Sequence, residues 1–587
     1  MSDVDLVVRG GTVVDGSGAP GRTADVAVRD GVVVAVGEVD ERGRREIDAD
    51  GLLVTPGFVD IHTHFDGQAT WDPELRPSSQ HGVTTVAMGN CGVGFAPARP
   101  EKHEWLISLL EGVEDIPGTA LAEGLTWGWE SFPEYLDVLD RQTRTVDVAA
   151  HVPHAALRTY VMGDRGADHT ERATAEDIEA MSRLCEAGIR AGALGFTTSR
   201  TWVHRTSTGE SIGTLTAATD EVLGIADALT RAGTGVIQLI SDAYQSDDDD
   251  LVARELELLG ELALKVGRPL SFTVQQNDDT PDRFRELLAA IAGWVEAGAD
   301  AKAQVAVRPI GVLLGLTASA NPLLFCPSFH QLPADRSARL AELRRPEVRE
   351  RLRQEHAAAG EHLRGFPLII HSGWDRMYPL SDPPDYEPTP ERSVAGIATT
   401  QGAEPFDALY DLLTGPSTNG EGTTLLYVPL MNYARGSLDD VHEMLTSPHA
   451  MVGLSDAGAH CNAISDGSMP TTGITHWTRD RTRGPKLTLE HMVHHQTQRT
   501  AAHVGWHDRG VVAPGHLADL NVIDLDRLAL RPPHIAADLP AGGTRLLQEA
   551  VGYVATIKRG TTTVADGELT GERPGRLQRG PQAAPGD

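Results

Sequence analysis

"GFVDIHTHFDG", residues 57–67, sets two histidines, His62 and His64, one residue apart at the end of an apolar run. In an extended strand, residues i and i+2 point to the same side. His62 and His64 can therefore converge on one ion, and imidazole suits zinc and similar metals. What precedes the pair gives it context. The first 55 residues alternate β-branched runs such as "DLVVRGGTVVDGSG" and "ADVAVRDGVVVAVG" with Gly and Asp turns, the texture of a β meander. The same texture returns in "GVVAPGHLADLNVID" and "GYVATIKRGTTTVADGEL" near the other end. Residues 1–55 and 507–575 are thus expected to build one small β-sandwich domain around a middle spanning 56–506.

That middle alternates short apolar strands with helical stretches. Strands are expected at 58–62, 84–90, 146–152, 193–199, 235–241, 270–276, 303–310 and 450–456. "ATAEDIEAMSRLCEAGIRAG" and "DDLVARELELLGELALKVG" read as two of the intervening helices, the latter opened by the acidic run 247–250. Eight such strands alternating with helices predict an α/β fold, a parallel (β/α)8 TIM-like barrel, with its chemistry at the carboxyl ends of the strands. His62, Cys91, His151, Gln238, Gln275 and Asp456 fall at or just after those ends. Residues 311–449 are far more than one helix needs and read as a large lid or substrate-shaping insertion. Residues 576–587 read as a disordered tail.

Bulk properties exclude several classes. A chain of 587 residues is long enough for a large domain plus a smaller one. A formal net charge of −32 opposes binding to nucleic acid or an anionic membrane, which leaves a small-molecule substrate. The sequence has no apolar run of membrane-spanning length and no basic, apolar leader, so the expectation is a cytoplasmic protein. A homo-oligomer stays open. Cys91, Cys185, Cys326 and Cys461 are dispersed without a CxxC, which argues against both a cysteine-rich zinc module and a disulfide framework.

"PGFVDIHTH", "GVTTVAMGNCGVGFAP", "RAGALGFTTSR", "MVGLSDAGAH" and "RGVVAPGHLADLNVID" together resemble the amidohydrolase superfamily, and most of all its N-acyl-D-amino-acid deacylase (D-aminoacylase) branch. The resemblance implies a metal-bearing barrel that hydrolyses a non-peptide amide C–N bond with a metal-activated water. It implies metal ligation by His62 and His64, by Asp456, which also handles the proton as general base and acid, and by Cys91 in "GNCG". The departures are equally informative. The branch supplies histidines at the ends of strands five and six, where this chain reads "GVIQLISD" and "LSFTVQQND". Strand four has no lysine to bridge two metals. The expectation is one divalent metal per chain, zinc by default.

His151 and His154 could orient substrate or stand in for a missing ligand. Arg200 and Arg308 could hold a substrate carboxylate, surface or structural pairing being the alternative. Gln238 and Gln275 could hydrogen-bond substrate, and His371 could reach the site from the insertion. His494 and His495 read as peripheral. Two rival functions stand beside hydrolysis of an N-acyl-D-amino acid. One is altered chemistry at the same barrel: cyclic amide opening, deamination or cyclodehydration. The other is a non-catalytic barrel used for binding or assembly.

Overall fold

The computed structural model describes residues 4–417 and 420–586. Parallel strands run through the middle of the chain in sequence order. Phe58–Asp60, Val83–Met88 and Asp147–Ala150 form one ladder. Val152–Pro153, Gly195–Arg200, Val236–Ser241, Leu270–Thr273, Ala301–Val305 and Ala450–Val452 form a second. His151 joins Asp147–Ala150 to Val152–Pro153, making them halves of the third strand, and a parallel bridge between Thr63 and Ala457 links the first strand region to the last. Val83–Met88 and Leu270–Thr273 are buried along their whole length. A parallel strand covered on both faces favours apolar and small β-branched residues throughout, and the few polar ones here are hydroxyls, Thr84, Thr85, Ser271 and Thr273.

Helices fill the connections. Ala175–Ala191 starts with a capping box in which the Thr174 hydroxyl accepts from the Asp177 amide and the Asp177 carboxylate accepts from that of Thr174. Asp248, within the acidic run, caps Asp249–Glu261 by accepting from the amides of Asp250 and Leu251. Such caps contribute about 1 kcal/mol each.

Strands from both ends of the chain share one nine-stranded sheet. Leu520–Ile523 lies between Leu53–Pro56 and Tyr553–Lys558, antiparallel to both. The insertion after the seventh parallel strand has an apolar core of its own, including Leu314, Leu323, Leu352, Leu409 and Val428. An antiparallel sheet of Ile310–Leu314, Tyr378–Pro379 and Leu426–Met431 runs through it. Residue 310, expected within the seventh strand, opens that sheet instead.

The expected disordered tail is corrected. Leu577 bridges to Val148, Gln582 bridges to Trp506, and the Trp506 indole donates to the Gly580 carbonyl at 3.2 Å. The Arg576 amide donates to Asp147 Oδ1 at 2.7 Å. This segment is held by backbone pairing and by one buried carboxylate, neither of which composition reveals. Asp147, the first residue of the third strand, also meets Arg509 at 2.8 Å, Lys558 at 2.8 Å and Arg559 at 3.1 Å.

Candidate active site

The polypeptide brings His62, His64, Cys91 and Asp456 together at the carboxyl ends of the parallel strands. His62 Nε2 lies 3.2 Å from Cys91 Sγ and 3.3 Å from Asp456 Oδ1. His64 Nε2 lies 3.5 Å from the same Asp456 oxygen. Ligand atoms of His62, His64 and Cys91 all fall within 4.8 Å of one another. A tetrahedral zinc site with bonds of about 2.0–2.3 Å has donor–donor edges of roughly 3.3–3.7 Å. The donor chemistry suits a small divalent ion, and the separations of 3.2, 3.3 and 3.5 Å lie near those edges. His62 Nδ1 sits 2.5 Å from Gln304 Oε1, which fixes the proton on Nδ1 and frees Nε2 to bind. Gln304 is fixed in turn by donating to Ser271 Oγ at 2.9 Å.

Backbone strain aims these groups. Cys91 has φ of 54° and Asp456 has φ of 46°, left-handed conformations that cost a non-glycine residue about 1–2 kcal/mol. The glycines flanking Cys91 allow its turn to press against the next strands. A Cβ on Gly89 would stand 2.6 Å from the His151 carbonyl oxygen, and one on Gly92 would stand 2.7 Å from Thr198 Cα. The Cys91 amide donates to Gln238 Oε1 at 2.8 Å.

The electrostatics are those of a thiolate and carboxylate among imidazoles. Burial opposes the Cys91 thiolate, yet His62 and His64 outweigh it and hold the thiol below its ordinary pKa. Burial likewise opposes the Asp456 carboxylate, and the same two histidines hold it far below the usual range. Burial disfavours the His62 imidazolium, but Cys91 and Asp456 lift its pKa to about 9.

Several groups at the site have no counterpart in the sequence motifs. Glu114, 2% exposed, sets Oε1 3.1 Å from His64 Nδ1, and its backbone carbonyl accepts from the His460 amide. Burial raises the Glu114 pKa to about 7 against the pull of His64. Asp66 donates nothing but accepts from the Gly89 amide at 3.1 Å, and burial raises it to about 7 as well. His204 is held by Ser199 Oγ at 2.9 Å, and its field includes His64, His460 and Asp456.

Other sequence candidates are placed elsewhere or already engaged. His154 bonds Thr198 Oγ1 at 2.8 Å and Glu221 Oε1 at 3.1 Å, and Arg158 joins the same carboxylate at 2.8 Å. Arg200 is bidentate to Glu255, at 2.8 and 2.6 Å. Arg308 bonds Asp466 Oδ1 at 3.0 Å and stacks on Tyr386 at 3.8 Å. These cations are neutralised inside the protein, which corrects their assignment to a substrate carboxylate. His371 stacks on His356 at 3.6 Å within the insertion core, each ring bonding the other's carbonyl, so it serves that core rather than the site. Gln275 receives the Asn432 amide at 3.5 Å, and Gln276 is tied to Asp440, Asn432 and Ala434. His151 does lie close by, 2% exposed, with Nδ1 unpartnered; burial and the nearby His62 depress its pKa to about 3.

A sequence signal for the missed carboxylates exists. Leu106, Leu110 and Glu114 stand four residues apart on helix His103–Glu114. Glu221 and Ile225 do so on Thr219–Ala232, and Val252, Glu255 and Leu259 follow helical spacing on Asp249–Glu261. An acid within the apolar stripe of a helix is buried, so it needs a cationic or hydrogen-bonding partner.

The Amidohydrolase family matches residues 45–564. N-acyl-D-aspartate deacylase of Alcaligenes xylosoxydans xylosoxydans is 27% identical over 592 residues, spanning 100% of this chain and 96% of the relative. Among solved structures, a D-aminoacylase superposes with TM-score 0.64 at 24% identity, covering 98% of this chain and 99% of that chain. That enzyme has a binuclear metal centre, activated by one metal and attenuated by the second. N-acyl-D-glutamate deacylase of Bordetella bronchiseptica, complexed with zinc and a phosphonate mimic of the tetrahedral intermediate, gives TM-score 0.62 at 25% identity, with coverages of 98% and 100%. This chain belongs to the amidohydrolase family, in its D-aminoacylase-like branch.

Proposed function

We propose that this protein is a metal-dependent hydrolase that cleaves the amide bond of a small N-acyl-D-amino acid. The observation that carries the reading is that His62 Nε2 meets Cys91 Sγ at 3.2 Å and Asp456 Oδ1 at 3.3 Å, both partners standing on left-handed backbone. His62, His64, Cys91 and Asp456 would hold one divalent ion, zinc by preference. When bound, the ion supplies Lewis acidity for polarising the carbonyl and acidifying a water. Asp456 then takes the proton of the attacking water and delivers it to the leaving nitrogen as the C–N bond breaks. Gln304 holds the outer nitrogen of His62, and the Glu114 carboxylate stands at ion-pair distance from that of His64, so that each Nε2 faces inward. A single ion is favoured because strand five carries Gln238 and strand six leads into Gln275, and glutamine is a poor zinc ligand.

We read the parallel ladders and the Thr63–Ala457 bridge as a closed (β/α)8 barrel over residues 56–506. The nine-stranded sheet belongs to a small β-sandwich domain from 1–55 and 507–575. Among the described residues no helix is long and apolar enough to cross a membrane, and a small-molecule enzyme of the cytoplasm suits the net charge of −32. The test is metal analysis of protein purified without chelators, then a screen of N-acyl-D- and N-acyl-L-amino acids with and without added zinc. One equivalent and zinc-dependent release of D-amino acid are expected. Two equivalents would overturn the single-ion reading, and no turnover on any amide would overturn the hydrolase.

A further inference from the structure

Gln238 lies on the fifth parallel strand, 1% exposed, paired in register with Thr197 on one side and Ser271 on the other. Most polar neighbours in this layer are engaged. Thr197 Oγ1 receives the Gly92 amide and donates to the Gly89 carbonyl. Ser271 receives Gln304, and Gln304 receives His62. Gln238 differs. Its Oε1 accepts the Cys91 amide at 2.8 Å, and because that amide can only donate, the orientation of the side-chain carboxamide is fixed. Its Nε2 is thereby turned away from the Cys91 amide, fully buried, and has no acceptor among the described residues. A buried donor without an acceptor is costly and rare in a settled interior. His151 Nδ1 is also unpartnered, but a neutral ring nitrogen can serve as donor or acceptor, whereas the Gln238 nitrogen can only donate.

We propose that Gln238 is a catalytic hydrogen-bond donor: its Nε2 binds the carbonyl oxygen of the scissile amide and stabilises the negative charge that collects there as water attacks. This rests on the amide-hydrolase reading above. No proton leaves Gln238. The carbonyl π electrons move onto oxygen as the new C–O bond forms, and they return as the C–N bond breaks. A donor fixed before the reaction acts most strongly on charge that exists only in the transition state.

Two full-length, metal-loaded variants test this. Gln238→Glu keeps an acceptor for the Cys91 amide and removes the donor; Gln238→Met removes both without adding charge. The substrates are N-acetyl-D-amino acids, and the probe is the methylphosphonate analogue of the best of them. Both variants should retain the metal and lose about 10²–10³-fold in kcat/KM, mostly in kcat. Affinity for the phosphonate should fall in step, while inhibition by the released amino acid stays unchanged. Turnover and phosphonate affinity within about threefold of the parent in either variant overturn the role, since that range is below one lost donor. If the parent cleaves no N-acyl amino acid, the deacylase reading falls by itself. Phosphonate binding, made with the N-acetyl-D-leucine analogue, then judges Gln238: equal affinity in parent and Gln238→Glu, or no binding to the parent, overturns it.

Discussion

The two ends of the parallel strands both bury polar groups, and they treat them in opposite ways. At the amino end, the Asp147 carboxylate is met by Arg509, Lys558, Arg559 and the Arg576 amide. Lys558 also reaches Asp519 at 2.7 Å, and Arg509 reaches Gln578 at 2.7 Å. At the carboxyl end, Gln238 Nε2, His151 Nδ1 and Asp466 Oδ2 have no partner, and Cys91 and Asp456 sit in left-handed backbone. Burial of charge is therefore not what marks function in this molecule. Left-handed backbone at Cys91 and Asp456 and the unpartnered Gln238 nitrogen mark the candidate site, while charge pairing around Asp147 marks a joint.

The contrast can be broken from either side. Asp456→Asn removes the proton carrier, and kcat should fall by at least ~10³-fold while thermal unfolding stays near the parent's. Asp147→Ala strikes the joint instead, leaving Lys558 and Arg509 buried without their carboxylate. Denaturant unfolding should show a loss of about 3–5 kcal/mol, with kcat/KM of the remaining folded enzyme unchanged. The same joint has a pH signature. Burial opposes ionisation of Asp147, but Lys558, Arg509 and Arg559 hold its pKa at about 2. The folded value lies below the ~3.9 of an unfolded aspartate, so its stabilisation is complete above that value and disappears as pH falls through 2. Urea midpoints measured between those limits should drop less steeply in Asp147→Asn than in the parent. A milder effect belongs to Glu114→Gln, which weakens the hold on His64. Chelator competition should report a 10–100-fold loss of metal affinity, roughly the effect of removing an outer-sphere carboxylate. Unchanged affinity would reduce Glu114 to a packing residue.

How much of this the sequence carried depended on whether an interaction left a local pattern. The parallel strands were legible as short β-branched and apolar runs between helical stretches, and the predicted ends overshoot Phe58–Asp60 and Ala450–Val452 by a few residues. His62, His64, Cys91 and Asp456 were legible because short motifs surround them. Arg200 and Arg308 had suitable chemistry, but their partners lie 55 and 158 residues away; the helical spacing around Glu255 shows that it needs a partner without naming Arg200. His204 sits in a polar loop without periodicity, so only its neighbours in space reveal it. The packed segment from Arg576 to Gln582 escaped for a similar reason: its hold is backbone pairing to Val148 and Trp506.

The position of Leu53–Pro56 bears on how the enzyme is made. That strand leads within two residues into Phe58–Asp60, just ahead of His62, and one of its neighbours in the sheet is Leu520–Ile523. During synthesis His62 and His64, the proposed metal ligands, leave the ribosome early, while the strand that braces their approach emerges more than 450 residues later. Pairing of such high sequence separation is slow to form. The nascent chain thus carries His62, His64 and Cys91 through most of its synthesis before that bracing strand can pair.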